Sequence, residues 1–198
     1  MGVFEYVAGF VAIVVGLAVA RVMGGIGAFI LAEKRSAMDW LLAGWCLALI
    51  VNLIGWWMLA WFTLGQLETI TYGAVFGWFA ATALLYLASY ILVPAGGAAF
   101  GGAGAALGEL RPAFFVCLAV HFAANIVESA VTGSLLPAQG LVVLMVVLSG
   151  IGAFLRGARA HALLLLTWMV CMLVLNFVAV PAVGVNSGSV LDLSLIHI

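Results

Sequence analysis

Apolar residues run almost without a break along this chain, parted into six stretches by short clusters of Gly, Pro, Ser and charged side chains. A helix crosses the hydrocarbon core of a bilayer with about 20 apolar residues. The stretches at about residues 4–31, 39–64, 70–93, 112–134, 139–156 and 160–182 meet or approach that length. A water-soluble fold would need polar side chains to cover such a core, and the chain is 68% hydrophobic and 7% charged. Soluble domains are about 25% charged. The chain therefore reads as all-α, a polytopic transmembrane helical bundle of six spans in one domain over about 1–192. Its formal net charge of −1 leaves no basic face for nucleic acid, so the partner that composition implies is the lipid bilayer.

The first stretch opens with Phe4-Glu5-Tyr6 and reaches Ala32. A cleaved signal would begin with basic residues and carry an apolar core of about 7–15 residues, so the stretch reads as a true span. Five of the six basic residues, Lys34, Arg35, Arg111, Arg156 and Arg159, fall in the first, third and fifth connections. The second (Gly65 to Thr69) and fourth (Ser134 to Gln139) carry none. By the positive-inside rule the odd connections are cytoplasmic and both termini lie on the other side. The localisation to expect from this is a cytoplasmic membrane, crossed several times. Pro94, Pro112, Pro137 and Pro181 fall at or near the expected helix ends, where a missing N–H costs little. The Gly/Ala stretch 95–108 reads as a flexible cytoplasmic loop. No Walker lysine follows it, so it is not a phosphate loop. The last six residues, Leu193 to Ile198, look like the translation of a sequencing-library adaptor, which implies a native chain ending near Asp192 and removes His197 from functional argument.

Polar residues inside the spans are the informative ones, because a charge at the bilayer centre costs at least about 2.5–3.5 kcal/mol without a partner or a wet cavity. His121, Asn125 and Glu128, with Thr132 beyond, follow helical spacing along one stripe of the fourth span. That stripe has to face the bundle interior. Arg21 on the first span and His121 count to similar depths from the basic side, about 18 Å and 15 Å. Asn52 and Asn176 count to the depth of Asn125. Arg21, Asn52, His121, Asn125, Glu128 and Asn176 thus form the candidate intramembrane polar site, with Glu128 a counter-ion for Arg21 if the spans bring them together. Two uses fit the stripe. It could exchange protons or bind a polar solute, or its groups could bond neighbouring helices and hold the bundle together.

Other chemistries find too few ligands. A bis-histidine haem needs two deep histidines, and only His121 is deep. His121 and Glu128 offer at most two metal ligands. A run such as His121-Phe122-Ala123-Ala124-Asn125 resembles a rhomboid-type HxxxN element, yet Leu148-Ser149-Gly150 is no GxSG nucleophile. No cofactor is called for and no catalytic group stands out. Cys46, Cys117 and Cys171 sit inside apolar runs and read as small hydrophobes. Trp45, Trp56, Trp57, Trp61, Trp78 and Trp168 read as packing or lipid-facing, and Glu5, Asp39, Glu68 and His161 as interfacial. Gly16, Ala20, Gly24 and Gly27 make a small-residue stripe suited to a homo-oligomer through the first span. An inverted repeat of three plus three spans finds only a short echo, Gly16-Leu17-Ala18-Val19 with Cys117-Leu118-Ala119-Val120.

Several further runs carry a resemblance: Val15-Gly16-Leu17-Ala18-Val19-Ala20-Arg21, Trp56-Trp57, Leu84-Leu85-Tyr86-Leu87-Ala88 with Val93-Pro94, Arg111-Pro112-Ala113-Phe114-Phe115, and Arg159-Ala160-His161-Ala162. With Phe4-Glu5-Tyr6 they make the chain similar to an uncharacterised family of small six-span bacterial integral membrane proteins. The resemblance implies six spans and no activity. The Gly/Ala stretch departs from the more polar connection expected there. The expected function is a membrane protein whose intramembrane polar cluster conducts or binds a proton or small polar solute. The alternative is a non-catalytic membrane subunit or scaffold whose buried polar residues serve helix packing.

Overall fold

Among the described residues six α-helices carry the fold: α1 (Val3–Leu31), α2 (Ala37–Leu64), α3 (Tyr72–Leu92), α4 (Ala103–Thr132), α5 (Gln139–Phe154) and α6 (Ala158–Val174), the last continued by a π-helical turn, Leu175–Ala179. The computed structural model describes residues 3–33, 36–64, 71–93, 103–132 and 139–179, and no strand occurs among them. Its side chains are described over 5–33, 36–64, 71–93, 112–130 and 139–177. Lys34, Arg35, Gly65 to Thr69 with Glu68, residues 94–102, Ser134 to Pro137 and residues 180–198 lie outside the described residues.

Helix starts follow local chemistry. Ser36 and Asp39 close a capping box at α2: the Asp39 N–H donates to Ser36 Oγ (3.2 Å) and the Ser36 N–H to Asp39 Oδ2 (2.7 Å). Thr71 caps α3 by accepting from the Ala74 N–H at 3.2 Å. Between α5 and α6 the chain turns at Gly157, whose φ of +97° suits a residue without Cβ.

Contacts give the helix directions. Phe10 lies 4.0 Å from Phe79, and farther along both helices Arg21 meets Val93, so α1 and α3 run parallel. His161 stacks on Phe115 and Trp168 meets Phe122, so α4 and α6 run parallel in one register. Leu165 sits at Gly44 and Asn176 at Gly55, which makes α2 parallel to α6. The core between α2, α4 and α6 is aromatic, with Trp45 edge-on to Phe115 at 4.9 Å and to Trp168 at 5.9 Å.

Among the described residues five helices are long and apolar enough to cross a membrane: Glu5–Leu31, Ala37–Leu64, Tyr72–Leu92, Pro112–Ala130 and Ala158–Phe177. The sixth, α5, has 16 residues, or about 24 Å of rise.

Three expectations change. Pro112 lies inside α4, not at its start. Residues 103–108, expected as loop, are helical: Ala103, Ala105, Ala106 and Leu107 are strong helix formers, and they outweigh the interspersed glycines. Asp39 and His161, expected at the interface, are buried. Asp39 is held by the capping box, and His161 Nε2 donates to the Leu155 carbonyl (3.1 Å) while its ring stacks on Phe115.

Candidate functional site

The polar centre of the bundle is built where α2, α3 and α4 meet. On α3, Trp78, Ala81, Thr82 and Leu85 recur at helical spacing and are buried. On α2 the matching position is Trp56, whose indole stacks on Trp78 with centroids 4.4 Å apart. Its Nε1–H donates to Thr82 Oγ1 at 2.9 Å, and the Thr82 hydroxyl donates to the Trp78 carbonyl at 2.6 Å. His121 of α4 completes the centre. It is 1% exposed, stands edge-on to Trp56 at 4.8 Å, and its Nδ1 lies 3.1 Å from the Ala81 carbonyl. A carbonyl only accepts, so the proton in that bond is on Nδ1.

The rest of the α4 stripe is less enclosed. Asn125 is half-buried, and its Nδ2 donates to the His121 carbonyl of its own helix at 2.8 Å. Glu128 is half-buried, with its carboxyl close enough to Trp78 to interact with the indole N–H. That N–H has no well-formed hydrogen bond, so the approach is loose. One turn before Trp56 on the same face of α2 is Asn52, 2% exposed, whose Nδ2 has no partner among the described residues.

The other two candidates lie elsewhere. Arg21 is held at the far end of α3: its Nε donates to the Val93 carbonyl at 2.9 Å and its guanidinium sits 4.0 Å above the Tyr90 ring. Val93 is about 18 Å from Ala81 along the α3 axis, so Arg21 and His121 occupy different levels, and Arg21 takes its partners from α3 and not from Glu128. Asn176, in the π-helical turn, abuts Gly55 and donates from Nδ2 to the Val51 carbonyl at a long 3.4 Å. The six residues thus divide into a central group of Asn52, His121, Asn125 and Glu128, an α1–α3 tie at Arg21, and an α2–α6 tie at Asn176.

Trp56 and Trp78, expected only to pack or face lipid, and Thr82, to which the sequence assigns no role, belong to this polar centre. A lone threonine at mid-span is the signal that would have marked them, since a buried hydroxyl needs a partner and an indole N–H can supply one. No group of three metal-ligating side chains occurs among the described residues. Cys46, Cys117 and Cys171 are buried free thiols. On α1, Gly16, Gly24 and Gly27 have nothing within 4 Å of where a Cβ would stand, and Gly16, Ala20 and Gly24 are exposed.

No family model, curated protein or solved structure matches this chain.

Proposed function

We propose that this chain is a non-catalytic subunit or scaffold of a bacterial inner membrane, a six-span bundle whose buried polar side chains tie its helices together. One observation carries the reading: polar side chains reach across to the neighbouring helix. Arg21 of α1 takes the Val93 carbonyl at the end of α3, His121 of α4 takes Ala81 of α3, Asn176 takes Val51 of α2, and Trp56 of α2 takes Thr82 of α3. Such bonds are worth about 0.6–2 kcal/mol each within a bilayer. Proton or polar-solute conduction is a second reading. It is favoured by Glu128, whose carboxyl approaches Trp78 in the half-buried part of the α4 stripe.

Six spans are supported by the parallel register of α4 and α6. Two helices that cross in the same direction need a return crossing between them, and α5 is the only helix there among the described residues. Both termini then share one side, and the charge bias of the connections supports a non-cytoplasmic side for them.

The test pairs stability with flux. His121→Phe removes the bond to Ala81 and is expected to cost about 1–3 kcal/mol, measured as the unfolding midpoint in mixed micelles. Liposomes carrying the wild type are expected to pass protons no faster than empty ones. Flux that vanishes in Glu128→Gln at unchanged stability would replace the scaffold reading by conduction.

The small-residue stripe of Gly16, Ala20, Gly24 and Gly27, exposed at the first three and half-buried at Gly27, supports a homo-oligomer through α1. Leucine at both Gly16 and Gly24 is expected to convert a cross-linkable dimer to monomer. A wild type that is monomeric in nanodiscs removes this part of the proposal.

A further inference from the structure

On the outer surface of the bundle, α2 and α6 part to leave an apolar groove of about 650 Å³. Its walls run from Ala37 to Leu47 on one helix and from Ala158 to Met169 on the other. The two helices are parallel, so both walls begin at the same end of the molecule. The helices come close at Gly44, where a Cβ would stand 2.5 Å from the Leu165 side chain, and this approach forms the floor. Every lining side chain is apolar or aromatic except Arg159, which is exposed. Trp40 stands beside it, 60% exposed, the kind of aromatic residue that settles at headgroup level.

The length of the groove decides what fits. Its walls rise about 15 Å and 17 Å, which is one leaflet, half of a ~30 Å hydrocarbon core. Beyond Leu47 the gap closes, since Asn176 packs directly on Gly55. A partner helix crossing the bilayer would need the full height. A lipid tail needs only its own leaflet, and Arg159, the one cation lining the groove among the described residues, matches a phosphate.

We infer that the α2–α6 groove is a binding site for an anionic phospholipid, with an acyl chain along Gly44 and Leu165 and the headgroup phosphate on Arg159. Basic sites between membrane helices recognise lipid headgroups by this chemistry. The inference goes beyond the scaffold reading and uses none of its interhelical bonds, so the His121→Phe stability assay can fail without touching it.

The experiment is native mass spectrometry of the full chain released from nanodiscs of phosphatidylglycerol mixed equally with phosphatidylcholine. Wild type is expected to retain phosphatidylglycerol preferentially. Arg159→Gln is expected to lower that retention about fivefold, the contribution of one basic side chain near a membrane surface. Ala162→Trp fills the groove from an exposed position without altering charge, and is expected to lower it as far. Equal retention of both lipids by the wild type overturns the inference. So does undiminished retention in Ala162→Trp, which would mean attraction to surface charge alone. A wild-type dimer that Ala162→Trp splits would overturn it in favour of a protein interface.

Discussion

Replacing Trp56 by alanine is expected to cost the bundle about 3–5 kcal/mol, the range for deleting a large aromatic from a packed interior, read as a fall in the unfolding midpoint in mixed micelles. Trp56 is 3% exposed and touches both neighbouring helices, stacked on Trp78 of α3 and edge-on to His121 of α4. Its removal leaves a cavity between three spans and takes the indole donor from Thr82. Phenylalanine at the same position separates the two contributions. It keeps an apolar ring against Trp78 and His121 but has no N–H, so Trp56→Phe is expected to cost about 1 kcal/mol, near the value of one interhelical hydrogen bond. A loss below about 1 kcal/mol for Trp56→Ala would show that the three-helix centre does not hold the bundle together.

The second large effect is expected at Gly152 on α5. A Cβ there would stand 2.6 Å from two atoms of the Phe115 ring. Phe115 cannot retreat, because Trp45 meets it edge-on and His161 stacks on it. Gly152→Ala gains up to about 1 kcal/mol of helix propensity and loses about 1–3 kcal/mol to overpacking. The rigid surroundings put the net on the destabilising side. Gly152→Leu is expected to cost more than Gly152→Ala and to free α5 from α4, which accelerated proteolysis at the connections of the reconstituted protein would report. Gly150, with open space at its Cβ position, is the matched control: Gly150→Ala is expected to be neutral or stabilising.

The helices were legible in the chain because the apolar runs are long and punctuation is sparse. Helix ends were less so. Pro112 looks like a start signal, yet α4 begins nine residues earlier, at Ala103, because a proline removes one N–H bond while the alanines before it still favour helix. In the site, the inward stripe of α4 was legible from spacing, and His121 is its most buried member. The joint depth of Arg21 and His121 was not. Depth counted from the end of each helix assumes that the ends are level. α1 has 29 residues against 21 in α3, so it outruns its neighbour and Arg21 comes level with the end of α3 at Val93. Asn176 was placed near the level of Asn52 by the same count, and its contact with Val51 and Gly55 lies at that height. The hydrogen-bond role of Trp56 is not legible in the sequence, because an indole in an apolar run looks the same whether its N–H is used or idle.

The unequal helix lengths also bear on the membrane itself. α2, with 28 residues, rises about 42 Å, and α5, with 16, about 24 Å. A bilayer of uniform thickness cannot match both walls of such a bundle. On the proposed reading in which all six helices cross, the excess length on the α1–α2 side would be taken up by tilt, and at α5 the lipid would thin or neighbours cover the gap, at a cost of fractions of a kcal/mol per ångström. On the six-span reading the protein would present a thick wall and a thin wall to its surroundings, and a bilayer of shorter acyl chains would be the better solvent for the α5 half of the molecule.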